Sequence, residues 1–221
     1  MDTINRRELS VIALPGVLDG QLIIPVVTIH DASTAPHVVA ALAAGGIGCV
    51  EITLRTSSAL EAIAAAAATE TLHVGAGTVL TAEDVDRVAE AGARFVISPG
   101  LDERVVSRAT DLGLAVLPGA ATATEAQRAL TGGLGAVKFF PADQLGGLNA
   151  VAALAQPFPT LAFVPSGGVS PLNAARYLRH PAVPAVSGSW LAPSDVLAAR
   201  DYRKIEKLSR EAARLVKEVQ G

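Results

Sequence analysis

The sequence predicts a closed (β/α)8 barrel, a single domain over residues 1–221, with an extra N-terminal segment and an amphipathic C-terminal helix. Three observations carry that expectation. Short apolar or β-branched runs recur eight times, at intervals of roughly 20 to 27 residues, with alanine-rich helical stretches between most of them. Such alternation implies a parallel sheet with helices packed on it, and eight units in about 200 residues fit the small end of the barrel range. The first strand runs into HDAST, which has no glycine. The competing doubly wound open sheet is expected to carry a glycine-rich turn there.

The strands are read as Ile23–Ile29, Cys49–Leu54, Leu72–Gly77, Ala93–Ser98, Leu114–Leu117, Ala136–Phe140, Thr160–Pro165 and Val183–Val186. Helical patterns lie between them. Pro36–Ala44 stops at Gly45-Gly46, Ser58–Thr69 follows cap candidates Thr56 and Ser57, and Thr81 with Asp84 forms a capping-box pattern closed by Gly92. Glu103–Asp111, Thr124–Leu130 and Pro171–Leu178 follow, the last with proline in its first turn. Asp201–Val219 is amphipathic: Tyr202, Ile205, Leu208, Ala212, Leu215 and Val219 share a stripe, and Glu206 and Arg210 pair on the outer face.

Composition narrows the function. Half the residues are hydrophobic, 18% are charged and the net charge is −3, which suits a globular protein and gives no reason to expect nucleic acid or a membrane as partner. The alanine-rich run at 62–68 is too short to span a bilayer, and the opening MDTINRRELS lacks the apolar stretch of a signal peptide, so a cytoplasmic protein is expected. The single Cys49 allows no internal disulfide or cysteine metal cluster and reads as inert core. The histidines, His30, His37, His73 and His180, show no ligand spacing, which disfavours a metal-dependent mechanism.

Barrel active sites gather at the C-terminal ends of the strands, so polar residues there stand out. In VEITLRT, alternation puts Glu51, Thr53 and Arg55 on one face and Val50, Ile52 and Leu54 on the other. The apolar set suits the helices, which turns the polar set inward. A Glu51–Arg55 ion pair is the bland alternative, although four strand residues span about 13 Å. In VGAGT, Gly75 and Gly77 beside Thr78 suggest backbone that a ligand approaches closely. Late in the chain, PSGGVS and VSGSW pair glycines with short helices to follow. Gly167, Gly168, Gly188 and Ser189, with the Ser166 hydroxyl, can form a phosphate nest.

Within the first 203 residues the only lysine is Lys138, in the apolar stretch GAVKFFPA. It either snorkels to water or acts as a buried nucleophile. An amine attacks a carbonyl only when neutral, and at the ordinary lysine pKa about one in 2,500 is neutral at pH 7. Burial between Phe139 and Phe140 and the cation Arg55 are expected to lower that pKa.

VEITLRT, VGAGTVL, ISPG, KFFPA, PSGGVS and GSWL together, from about residue 20 to 219, resemble the 2-keto-3-deoxy-6-phosphogluconate (KDPG) aldolase family, which includes 4-hydroxy-2-oxoglutarate (KHG) aldolases. The resemblance implies a class I aldolase, a homotrimer, that cleaves KDPG to pyruvate and glyceraldehyde 3-phosphate. It implies Lys138 as the Schiff-base lysine and Glu51 as general acid/base. Arg55 and Thr78 would hold the pyruvyl carboxylate, Pro99 and Phe140 would shape the pyruvate pocket, and Ser166, Gly167, Gly168, Gly188 and Ser189 would serve the phosphate end. The imine is the electron sink, so no organic cofactor or metal is required. KHG, or the galactonate epimer of KDPG, are the alternative substrates. A barrel that binds phosphosugars without cleaving them is a remoter alternative, and it would lack Lys138 and Glu51. Two residues depart from the family pattern: Ser166 stands where threonine is expected, and Ser187 where a glycine is common. Ser187 is expected to tighten the phosphate loop without touching the imine chemistry.

Overall fold

The computed structural model describes residues 13–220; the opening MDTINRRELS lies outside them. Eight parallel strands alternate with helices. The strands are β1 (Ile23–Val27), β2 (Cys49–Thr53), β3 (His73–Gly77), β4 (Phe95–Ile97), β5 (Ala115–Leu117), β6 (Ala136–Phe139), β7 (Ala162–Pro165) and β8 (Val186–Gly188). The helices are α1 (Ala35–Ala44), α2 (Ala59–Ala67), α3 (Ala82–Glu90), α4 (Glu103–Asp111), α5 (Ala123–Thr131), α6 (Gly147–Ala155), α7 (Ala174–Leu178), α8 (Ser194–Ala198) and α9 (Tyr202–Gln220). Six strands form one sheet in the order β5-β4-β3-β2-β1-β8, and β6 pairs with β7 in a second. Isolated parallel bridges join the two sheets at both seams, Gly119 to Lys138 and Ser166 to Ser187.

Period-2 alternation divides the buried side chains into two cores. The outer one, between strands and helices, takes Val50, Ile52, Val137 and Phe139. The inner one is bounded by the strands and holds Ile24, Cys49, Phe95, Ile97, Leu117, Ala136, Val164 and Ala185. Leu14 and Leu18, from the segment before β1, complete this inner core. Glu51, between outward Val50 and Ile52, and Lys138, between outward Val137 and Phe139, therefore share its face.

Several elements depart from the sequence reading, each for a local reason. The eighth strand begins three residues and ends two residues later than expected, because Val186, Ser187 and Gly188 are the residues that pair with Ile23, Ile24 and Pro25. The full capping box forms at Thr122 and Glu125. At α3, Thr81 does accept from the Asp84 N–H (3.1 Å), but the Asp84 carboxylate reaches the Leu80 N–H instead of that of Thr81. The seventh helix starts at Ala174 and not Pro171, because the Asn173 side chain first closes a turn on the Ser170 N–H (2.8 Å). Helix α6 was not anticipated. It begins at Gly146-Gly147 with left-handed backbone and no side-chain cap, so the sequence carries no start signal.

The C-terminal helix docks its expected stripe on the body, with Ile205 and Ala212 buried, and Glu206 pairs with Arg210 on the outer face. Ser209, which the stripe omitted, is also buried: its hydroxyl donates to the Ile205 carbonyl (2.8 Å), and its Cβ lies against Gly45, where no side chain would fit. Ile205 is fully buried, so Ile205→Ala leaves a cavity under α9. It is expected to destabilise the protein by about 3 kcal/mol, read as a lower urea midpoint at unchanged m-value.

Candidate active site

Lys138 meets Glu51 across the inner core. Its Nζ donates to Glu51 Oε1 at 3.1 Å and Oε2 at 3.4 Å, and the two side chains are 8% and 1% exposed. Removing two charges from water costs several kcal/mol each unless they are paired, which explains why the only interior ammonium of the strands faces an interior carboxylate. The lysine does not snorkel. Nor does Glu51 pair with Arg55, which is exposed and makes no ion pair among the described residues. The charge beside Lys138 is therefore a carboxylate and not the expected guanidinium. Of the two aromatics expected around it, Phe140 is near, with its ring centroid 5.5 Å from Nζ, a cation–π distance. Phe139 turns into the outer core.

The glycines of VGAGT have a different use from the one expected. A Cβ on Gly77 would fall 2.0 Å from Glu51 Oε1, and one on Gly75 would fall 2.3 Å from the Phe95 ring. They make room for neighbouring side chains rather than for a ligand, and Gly77 in particular gives the Glu51 carboxyl its space. Ser187 also corrects the sequence reading. It is fully buried, alternates inward after Ala185, and its hydroxyl donates to Glu51 Oε2 at 3.5 Å. It thus touches the carboxylate that faces Lys138 and is no part of the phosphate loop. Inward alternation of Ala185 and Ser187 was the available signal, obscured by ending the strand at Val186. Cys49 is inert core as expected: burial, with the Glu51 charge beside it, pushes its thiol up to about 12.

A cavity of about 690 Å³ opens at the C-terminal ends of the strands. It brings together Arg55, Phe140, Ser166, Gly167, Gly168, Gly188 and Ser189. Lys138, Glu51, Thr78 and Pro99 are not in its lining. The ion pair adjoins it through Phe140 and through Ser187, the neighbour of Gly188. Thr78 is half-buried at the end of β3 with φ 60. A β-branched residue in that region costs about 1–3 kcal/mol, so surrounding structure must hold it. Pro99 is half-buried after β4, and the Ser98 hydroxyl fixes its turn on the Gly100 carbonyl (2.7 Å).

Gly167 and Gly168 both have left-handed backbone (φ 88 and 81). Asn173 clamps the loop by donating to the Gly168 carbonyl at 2.9 Å, a role the sequence did not suggest. Among the described residues, no backbone hydrogen bond uses the N–H of Gly168 or Ser189, which leaves donors for an anion. The short helices that follow, α7 and α8, have only five residues each, so the loop amides and not a helix dipole supply the positive field. Thr28, absent from the sequence reading, also lines the cavity, with its hydroxyl 2.9 Å from that of buried Thr53.

Residues 16–208 match the family model described as Aldolase: KDPG and KHG aldolase. The chain is 45% identical to the 2-dehydro-3-deoxy-phosphogluconate aldolase of Treponema pallidum, over 88% of this chain and 93% of that one. It is 44% identical to the KHG/KDPG aldolase of Escherichia coli K12, over 86% and 90%. The crystal structure of the KDPG aldolase from Legionella pneumophila, with pyruvate captured at low pH as a covalent carbinolamine intermediate, is similar with a TM-score of 0.83. That likeness covers 91% of this chain and 95% of that one, at 34% identity. The chain belongs to the KDPG and KHG aldolase family. Its relatives are lyases, and the lysine and glutamate that a non-cleaving barrel would lack are both in place.

Two outcomes follow from this geometry. Gly77→Ala displaces the Glu51 carboxyl, and a shift of that size is expected to lower kcat by about 100-fold, measured by pyruvate release, in a protein that remains folded by circular dichroism. Cys49 is expected to stay unmodified by maleimide at pH 8 in the native protein and to react promptly in guanidinium chloride.

Proposed function

We propose that this protein is a class I aldolase that cleaves KDPG to pyruvate and glyceraldehyde 3-phosphate on Lys138. The observation that carries the reading is the buried contact between the Lys138 amine and the Glu51 carboxylate, 3.1 Å apart beside a polar cavity. The eight strands act as a closed (β/α)8 barrel forming one domain, a reading supported by the bridges at both seams of the two sheets. The homotrimer expected of the family belongs to the same proposal, and sedimentation velocity reads it directly.

The chemistry follows from the pair. Attack requires a neutral amine, and Glu51, within hydrogen-bond reach of the Lys138 Nζ at 3.1 Å, is placed to take its proton. The amine attacks the C2 ketone, and Glu51 protonates the departing oxygen as carbinolamine loses water to form the imine. Removal of the C4 hydroxyl proton, with Glu51 acting through a water, lets the C3–C4 bond break. Its electron pair moves into the protonated imine, the aldehyde leaves, and the enamine takes a proton at C3. Hydrolysis then frees pyruvate and restores the amine. The imine formed on the protein's own lysine is the electron sink for the C3–C4 cleavage.

Arg55 and Thr78 hold the pyruvyl carboxylate, and Pro99 and Phe140 shape the pyruvate pocket. Ser166, Gly167, Gly168, Gly188 and Ser189 hold the phosphate, supported by their shared place in or beside the cavity and by the unused amides of Gly168 and Ser189. The KHG/KDPG aldolase of Escherichia coli supports 4-hydroxy-2-oxoglutarate as a second substrate.

Borohydride reduction in the presence of pyruvate is expected to add a reduced pyruvyl group to Lys138, located by peptide mass mapping. Modification elsewhere, or none, would sink the imine mechanism. Glu51→Gln should keep the fold and lower kcat by about 100- to 10,000-fold, the range for loss of a general acid/base.

A further inference from the structure

The cavity carries one more cation than the reaction accounts for. Its lining includes two arginines, Arg55 and Arg200. Arg55 is assigned above to the pyruvyl carboxylate, whereas Arg200, between α8 and α9, has no part in that scheme. Its backbone is left-handed (φ 53), a conformation that a residue with a Cβ adopts at a cost. The turn is set by the Arg200 N–H on the Leu197 carbonyl (3.0 Å) and the Tyr202 N–H on the Arg200 carbonyl (3.0 Å).

The side chain is held from across the cavity mouth. Its Nη2 donates to Asp31 Oδ2 at 2.7 Å, joining the loop after β1 to the loop after α8, 169 residues apart. Asp31 is itself fixed, since its Oδ1 accepts from the Ser33 hydroxyl (2.7 Å) and N–H (3.0 Å). A guanidinium has five N–H donors, and the bond to Asp31 is the only one it makes among the described residues. Arg200 is therefore pinned at one edge and open at the others, in a cavity that also holds the Gly167-Gly168 and Gly188-Ser189 loops.

We propose that Arg200, positioned by Asp31, is a specificity-determining residue: it supplies the cationic contact to the distal phosphate and sets the preference for a 6-phosphorylated 2-keto-3-deoxy sugar acid over its unphosphorylated counterpart. The inference rests on the aldolase reading above. Such a substrate is anionic at both ends, and the cavity offers one arginine for each. Neutral loop N–H groups donate equally to a phosphate or a hydroxyl oxygen, but a guanidinium discriminates strongly for the dianion.

The left-handed backbone supplies a clean variant. Glycine adopts φ 53 freely, so Arg200→Gly removes the guanidinium without straining the turn and is expected to keep or raise Tm. Steady-state kinetics are measured on wild type and variant with the 6-phosphorylated acid and with the unphosphorylated acid. The ratio of kcat/KM for the two substrates is expected to fall about tenfold in the variant, mainly through KM, as for loss of one charge-assisted contact. The preference of the wild type should also weaken with added salt more than that of the variant, because the guanidinium is 61% exposed. An unchanged ratio, whether or not both activities drop together, overturns the proposal. Pyruvate trapping on Lys138 is run on both proteins. If it fails in the wild type, the aldolase reading falls; if it succeeds while the ratio stays put, only the role of Arg200 is lost.

Discussion

The Lys138–Glu51 contact governs much of the surrounding structure because neither charge tolerates the inner core alone. Removing one member of a buried pair typically costs about 3–5 kcal/mol, so each strand must present its charged residue at the same level and on the same face. The neighbours answer to that requirement. Gly77 surrenders its side chain so that the carboxyl has room, Ser187 donates to the carboxylate, and the Phe140 ring lies near the ammonium. Such a pair is a poor source of stability compared with a packed apolar core, which fits the acid/base role proposed for Glu51.

The sequence exposed this pair through one simple physical rule. Alternation along VEIT and AVKF leaves no apolar place for Glu51 or Lys138 except the strand-bounded interior, and a lone lysine in an apolar run is conspicuous. The parallel strands were legible for the same reason, since each is a short apolar run bounded by turn residues. What could not be read is which side chain fills a given space. Gly75 and Gly77 announce a missing Cβ, but only coordinates tell whether a ligand, the Phe95 ring or the Glu51 carboxyl takes the room. A strand end placed two residues early moved Ser187 from the interior into a loop. Asp31 and Arg200 stand far apart along the chain, and nothing local in HDAST or AARDY points from one to the other.

The two ends of the cavity differ in how they present charge. Near the lysine the groups are buried and paired, so their interaction is little weakened by salt. At the far end, loop amides and an exposed guanidinium face solvent. The first arrangement suits bond making in a dry setting, the second recognition of a hydrated anion. Arg55 lies at the exposed margin of the same cavity, which places a charge within the reach of a substrate without adding a second cation to the buried pair.

Leu14 and Leu18 pack into the inner core with Phe95, Cys49 and Ile24, and this apolar floor bears on how a reactant meets the Lys138–Glu51 pair. With hydrocarbon packed beneath the pair, the side of the amine turned to a reactant is the one toward the cavity at the strand C-termini. In the proposed cleavage the pyruvyl half stays bonded to Lys138 when the other half is freed. On that scheme the phosphorylated aldehyde departs first and pyruvate last, and the wait between them gives the carbanion equivalent time to be protonated or to capture another aldehyde.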